Sequence, residues 1–169
     1  MADSILVVVV FAIALMSLLL WRIKPSRFRA LRWQSFSLAS GIFWGVFAVV
    51  LYQVYWDSYY RYFALPYGRW LSPLAGLFYV LVGLGLRWLA VRIPGNPILN
   101  FCLLGALESI PEHMIGIYRF HILEIPILRD VSAGEIFVFA VFEYAIYWGI
   151  VLALAILIER FFEKMKSAG

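Results

Sequence analysis

Long apolar runs separated by short polar segments extend along the whole chain. A helix that crosses a bilayer needs about 20 mostly apolar residues. Runs of this length occur at 4–22, 36–56, 70–91, 97–118 and 132–158. The pattern therefore predicts a single transmembrane domain, 1–169, which forms an all-α, polytopic integral membrane bundle of about five transmembrane helices and ends in an amphipathic cytoplasmic tail at 159–169.

The composition favours the same class of protein. Hydrophobic residues make up 64% of the chain and charged residues 14%, and the mean hydropathy is +0.90. A soluble domain of this size would have to bury several helices that are apolar all round, which leaves too little polar surface to face water. Membrane lipids are the expected partners, together with further copies of the chain or a larger membrane complex.

The basic residues predict the orientation, because Lys and Arg concentrate in cytoplasmic loops. With the N-terminus outside, the inner segments hold Arg22, Lys24, Arg27, Arg29, Arg32, Arg87, Arg92, Arg160, Lys164 and Lys166. The outer segments hold Arg61, Arg69, Arg119 and Arg129. This placement predicts an outer N-terminus and a cytoplasmic C-terminus in the plasma (cytoplasmic) membrane, and it explains the net charge of +4 without nucleic acid as a partner.

The first inner loop combines basic and aromatic residues. Its basic residues are Arg22, Lys24, Arg27, Arg29 and Arg32. Two interpretations stay open: contacts with anionic lipid headgroups, or an ordinary positive-inside loop with aromatic anchors. The second run ends in a further aromatic cluster, which is interpreted as a membrane-interface belt. It comprises Tyr52, Tyr55, Trp56, Tyr59, Tyr60 and Tyr62.

The fourth run carries the most informative residues of the chain, Glu108, Glu112 and His113. A charged side chain near the centre of a spanning helix costs roughly 2.5–3.5 kcal/mol on insertion scales, so such residues mark candidate functional sites. Glu108 and Glu112 are four apart and share a helix face. Pro111 removes a backbone hydrogen bond and favours a kink between them.

Glu143 in the fifth run lies at a matching depth. It is about eleven residues from the outer end of its run, and Glu108 is about eleven residues from the inner end of the fourth. We therefore expect Glu108, Glu112, His113 and Glu143 to converge on one outward-opening pocket, with Tyr144 and Tyr147 as hydrogen-bond donors. Ser132 and Glu135 have the spacing of a capping box at the start of the fifth helix.

The loop between the last two runs adds Arg119, His121 and Glu124 as outer contributors to this site. A divalent metal is one hypothesis, with Glu112, His113, His121 and Glu124 as ligands, because carboxylate and imidazole sets suit iron, manganese or zinc. The spacing is not that of paired Glu-x-x-His motifs. The alternative is that His121 and Glu124 are solvated loop residues.

The chemistry of the expected cavity leaves three classes of function open. The first is a protein that binds or moves a proton, a cation or a small polar or amphiphilic substrate. The second is an accessory structural subunit of a larger membrane complex. The third is a membrane-embedded enzyme that acts on a lipid-soluble substrate, with a carboxyl group as general acid or base. The chain contains no phosphate-binding loop, nucleophile elbow or HExxH motif.

Overall fold

The computed structural model describes residues 21–168, so almost all of the predicted first span, 4–22, lies outside the described residues. The described part is mostly helical. Its α-helices are α1 (Pro25–Ala30), α2 (Trp33–Val49), α3 (Gly68–Leu71), α4 (Pro73–Arg92), α5 (Pro97–Ile110), α6 (Gly116–Tyr118) and α7 (Ala133–Ala168). Two π-helical turns, Val50–Val54 and Pro111–Ile115, extend α2 and α5, and Pro126–Leu128 form a 3₁₀ turn.

Three of the described helices are long and apolar enough to cross a membrane. They are Trp33–Val54, Pro73–Arg92 and Ala133–Ser167, and they correspond to the predicted second, third and fifth runs. The predicted fourth run is helical from Pro97 to Tyr118. It is not among the three, and its polar residues Glu108, Glu112 and His113 lower its hydropathy. The mostly helical fold predicted from the sequence is therefore confirmed, and three of its helices have the length and composition of membrane spans.

Helix α7 is a single helix of 36 residues that includes both the predicted fifth span and the predicted tail. Its start follows the predicted capping box. The Ser132 backbone N–H donates to Glu135 Oε2 at 3.0 Å, and the Glu135 N–H donates to Ser132 Oγ at 3.4 Å. These bonds satisfy groups at the helix start that have no partner within the helix.

The four long helices form a closed ring. Helix α7 packs against α2 and α5, and α4 packs against the other sides of α2 and α5. The fourth and fifth predicted runs, which correspond to α5 and α7, are thus neighbours, as expected. The Trp148 ring is fully buried inside the ring of helices. It fits because Gly83 and Gly105 lack a side chain: a Cβ at either position would lie closer to the indole than van der Waals contact allows.

A short antiparallel strand pair closes one end of the bundle, which we call the strand end. Strand β1 (Arg61–Tyr62) pairs with β2 (Leu123–Glu124), and Arg61 lies opposite Glu124. The pair joins the loop after α2 to the loop before α7. The sequence analysis did not predict it, because two-residue strands show no alternating pattern. The otherwise all-α fold therefore has a small β addition.

The opposite end, which we call the basic end, holds the start of α2, the loop between α4 and α5, and the last turns of α7. Arg32 forms an ion pair with Glu159 at 2.6 Å, and Ser35 also donates to this carboxylate. Buried Arg87 donates to the Leu31 carbonyl. These contacts tie α2, α4 and α7 together at this end.

Candidate functional site

The backbone of α5 changes its geometry where the polar residues lie. Pro111 has no N–H to donate, and the helix continues from Pro111 to Ile115 as a π-helical turn. Single π turns inside α-helices frequently occur at functional sites. This turn carries Glu112 and His113, whereas Glu108 lies in the regular α-helix before it.

The Glu112 carboxylate is surrounded by tyrosine hydroxyls from three different elements. Tyr60, in the loop after α2, donates to Oε1 at 3.0 Å. Tyr79 of α4 and Tyr144 of α7 both donate to Oε2. A carboxylate that accepts several donors can stay in apolar surroundings without a basic partner. Glu112 therefore joins α4, α5, α7 and the strand-end loop through one functional group.

The second carboxylate, Glu143 of α7, is buried beside His113. Its Oε1 accepts hydrogen bonds from Tyr59 at 2.6 Å and from Tyr147. Its Oε2 lies 3.3 Å from His113 Nε2. This distance falls within the range of an ion pair, but the two atoms are not aligned as a hydrogen bond, and within residues 21–168 neither has a hydrogen-bond partner.

The contact of the second ring nitrogen of His113, Nδ1, indicates which nitrogen carries the hydrogen. Nδ1 lies 3.1 Å from the Ser109 carbonyl oxygen, which can only accept, so we assign the hydrogen to Nδ1. Nε2 would then present a lone pair to Glu143 Oε2. His113 Nε2 and Glu143 Oε2 are both buried and lie 3.3 Å apart, which is close enough for the two groups to share a proton.

Glu108 differs from the other two acids because it has few partners. Trp148 Nε1 donates to its Oε2 over a long 3.4 Å. Within residues 21–168, its other oxygen makes no hydrogen bond. Glu108 is partly exposed. The free oxygen of Glu143 is buried against His113, so Glu108 is the acid whose unused lone pairs are accessible to a ligand.

Glu108 and Glu112 both line a groove of about 740 Å³ between α4 and α5. Leu74 and Phe78, on its α4 side, are 58% and 64% exposed. The groove therefore opens sideways on the surface of the bundle. The lining is predominantly apolar and comprises Tyr52, Tyr62, Leu65, Leu74, Ala75, Phe78, Tyr79, Val82, Glu108, Pro111, Glu112, Ile115, Gly116, Phe120 and Ile122.

The predicted site residues thus form two adjoining parts rather than one pocket. Glu108 and Glu112 line the groove, and Glu143, which we expected beside Glu108, is not part of its lining. His113, Glu143 and Tyr147 form the buried part. Tyr144 lies between the two, because it donates to Glu112 while its ring packs edge-on against the His113 ring at 5.3 Å.

Three tyrosines of the site were not predicted. Tyr59 and Tyr60 had been interpreted as part of an interface belt, and Tyr79 had not been singled out. A tyrosine inside a spanning run was an available signal, since a buried Tyr hydroxyl usually has a hydrogen-bond partner. The sequence does not indicate which face of α4 meets α5, so it did not connect Tyr79 with Glu112.

The outer-loop residues lie apart from both parts. Glu124 pairs with Arg61 at 3.1 Å and with Arg129. The Arg129 hydrogen bond, followed by that of Arg61, lowers the pKa of the Glu124 carboxyl. Arg119 and His121 are exposed. The contacts of Glu124 are those of a residue that holds the strand end together.

The metal hypothesis is not supported by this arrangement. Within residues 21–168, no three His, Cys, Asp or Glu side chains lie close enough together to hold a metal ion. The candidate ligands Glu112, His113, His121 and Glu124 are therefore not brought together. Glu112 bonds to tyrosines, His113 faces Glu143, and Glu124 pairs with arginines.

The candidate headgroup residues lie at the basic end. Arg22 and Lys24, which precede α1, and Arg27 and Arg29 within α1 are exposed, whereas Phe28 of α1 is buried. Helix α1 is therefore amphipathic, with its basic side chains turned away from the bundle. Arg32 differs, because it is engaged by Glu159.

Comparison of the chain with protein-family models, with curated proteins and with solved structures finds no match.

Proposed function

We propose that this protein spans the plasma membrane five times, with its N-terminus outside and its C-terminus in the cytoplasm. The distribution of charge over the two ends supports this proposal. Four basic residues belong to the strand end, namely Arg61, Arg69, Arg119 and Arg129, and the other described ones belong to the basic end. Basic residues favour the cytoplasmic side.

Cysteine labelling tests this topology. In a Cys102→Ala background, we expect a membrane-impermeant thiol reagent added from outside to modify Ser132→Cys and to spare Ser26→Cys. The two positions lie at opposite ends of the bundle, so each is the control for the other. The reverse labelling pattern would contradict the proposed orientation.

Within that topology, we propose that the protein binds a small amphiphilic substrate. The observation that carries the proposal is the sideways-opening groove between α4 and α5, which combines apolar walls with the carboxylates of Glu108 and Glu112. Ligand sites are typically concave, mostly apolar and equipped with a few polar groups that orient the ligand. An apolar tail in this groove lies against Leu74 and Phe78 while its polar head reaches Glu108.

A second candidate is an enzyme that acts on such a substrate, and one observation favours it. The His113–Glu143 pair lies next to the groove, on the far side of Tyr144 from Glu112. An imidazole oriented by a carboxylate is a common general acid or base. The remaining alternative, an accessory subunit of a larger complex, predicts that a partner protein covers the groove.

Photolabelling with a diazirine derivative of dodecanol tests the binding function, because this probe is neutral and amphiphilic. We expect labelled peptides from the facing segments of α4 and α5. Ala75→Trp fills the groove and should abolish this labelling, and Ile115→Trp should do the same from the α5 side. Leu77→Trp is the matched control, because Leu77 is 57% exposed and lies outside the groove.

Labelling spread evenly over all lipid-facing surfaces, and unchanged in both groove variants, would contradict the proposal. A partner protein that co-purifies in fixed ratio and shields the groove from the probe would favour the accessory-subunit alternative.

A further inference from the structure

We infer that the groove selects amphiphiles whose head is a positively charged amine, with Glu108 as the counter-ion. This inference rests on the proposed binding function and specifies the chemical class of its substrate.

The charges that line the groove have one sign. Its ionisable residues are Glu108, Glu112 and the tyrosines Tyr52, Tyr62 and Tyr79, and within residues 21–168 no Lys, Arg or His contributes to the lining. An ammonium head therefore meets opposite charge and no like charge there. A carboxylate or phosphate head would meet two carboxylates and be repelled.

The carboxylates of Glu108 and Glu112 differ in how many further hydrogen bonds they can accept. Glu112 already accepts hydrogen bonds from Tyr60, Tyr79 and Tyr144. Glu108 accepts one long bond from Trp148 at 3.4 Å. An ammonium group has three N–H donors and no acceptor, so it complements a carboxylate with unused lone pairs. Glu108 is therefore the residue that contacts the head.

Aromatic rings supply the second element of cation recognition. Five aromatic residues line the groove: Tyr52, Tyr62, Phe78, Tyr79 and Phe120. The face of an aromatic ring attracts a cation, and combinations of rings recognise alkylated ammonium groups. The neighbouring apolar residues, such as Leu74 and Val82, leave room for a hydrocarbon chain.

The cost of placing the Glu108 carboxylate inside a membrane also favours an amine ligand. A carboxylate inside a bilayer is expensive unless it is paired. No basic side chain within residues 21–168 forms an ion pair with Glu108. An amine ligand would supply the missing counter-charge, whereas an alcohol would supply a single hydrogen bond and leave the charge uncompensated.

Competition against the photolabelling probe tests the inference. Dodecylammonium, dodecanol and dodecanoate share one chain and differ only in the head. With the purified protein in neutral detergent, we expect dodecylammonium to suppress groove labelling at a concentration about tenfold lower than dodecanol, since hydrogen bonds to charged groups are the stronger ones. Dodecanoate should compete least well.

Two variants test whether Glu108 is the counter-ion of the amine. Glu108→Gln should abolish the preference for dodecylammonium while the dodecanol probe still labels the groove. Glu163→Gln, which removes an exposed acid at the basic end, should preserve the preference. Thermal unfolding of both variants checks that the fold persists.

Each of the other outcomes contradicts one specific claim. Equal competition by dodecanol, or better competition by dodecanoate, overturns the amine inference and leaves the binding function in place. A preference that persists in Glu108→Gln overturns the role of Glu108. Failure of every probe to label or occupy the groove contradicts the binding function itself.

Discussion

The core around Trp148 and the tyrosine–carboxylate cluster around Glu112 are built from the same helices but held together differently. In the core, the indole packs against Phe101 at 5.8 Å, and glycines provide the space for it. In the cluster, tyrosine hydroxyls donate directional hydrogen bonds to Glu112 and Glu143. The first region is held mainly by apolar packing, with one long hydrogen bond from Trp148 to Glu108, whereas the second depends on polar groups that are costly to place inside a membrane.

The core should be the region that is most sensitive to added volume. We expect Gly105→Leu to lower the free energy of unfolding in detergent by about 3 kcal/mol, because its side chain would overlap the rigid Trp148 ring. Gly45→Leu is the matched control, since a Cβ at Gly45 meets no atom within 4 Å. Equal stability of the two variants would show that the core is loosely packed.

Within the cluster, the largest effect should come from Glu112. An amide offers one acceptor oxygen and an N–H₂ group, so in Glu112→Gln at least one tyrosine hydroxyl would face a donor. We expect a loss of about 2 kcal/mol in detergent thermal unfolding, the range for an unsatisfied buried group. Tyr60→Phe should lose less, because Tyr79 and Tyr144 still donate. An unchanged melting temperature for Glu112→Gln would contradict the assigned hydrogen bonds.

The His113–Glu143 pair should tolerate the replacement of its glutamate by glutamine. In Glu143→Gln, the amide oxygen can accept from Tyr59 and Tyr147, and the amide N–H can donate to His113 Nε2. We therefore expect a stability change within about 0.5 kcal/mol, while any activity that uses the proton of the pair is lost. Nitrogen chemical shifts of His113 would show hydrogen on Nδ1 alone in this variant; hydrogen on Nε2 would contradict the assignment.

The smallest effect concerns the strand end. Because Arg129 and Arg61 lower the pKa of Glu124, the charged form contributes stability above the ordinary pKa of a glutamate, and this contribution disappears as the pH falls through the lowered value. The protection factors of the β1 and β2 amides, which correct for the intrinsic slowing of exchange at acid pH, should fall as the pH is lowered. Glu124→Gln should remove this pH dependence, and a variant that keeps it would assign the effect to another group.

The sequence predicted the long helices well, because apolar runs report membrane-length helices directly. The predicted start of the second run, residue 36, is three residues from the start of α2 at Trp33, and the end of the third run, residue 91, adjoins Arg92. The continuation of the fifth helix into an amphipathic tail was also predicted, and α7 extends to Ala168. The β1–β2 pair was not predicted, because its two-residue strands depend on contacts between distant loops.

The acids of the site could be predicted from the sequence, but their partners could not. Depth along a helix follows from the residue count, so the sequence predicts similar depths for Glu108 and Glu143 on neighbouring helices. The rotation of each helix about its own axis does not follow from the residue count. The π turn at Pro111 also changes the register between Glu108 and Glu112. Glu108 consequently has a single long hydrogen bond, while Glu112 contacts Tyr79, whose role depends on how α4 meets α5.

Native mass spectrometry of the protein extracted from its own membrane tests most directly whether the groove is a ligand site. We expect a bound small amphiphile on the wild type and on Leu77→Trp, and none on Ala75→Trp, with all three unfolding at similar temperatures. A ligand retained equally by Ala75→Trp, or no bound amphiphile on any of the three, would contradict the proposed ligand site.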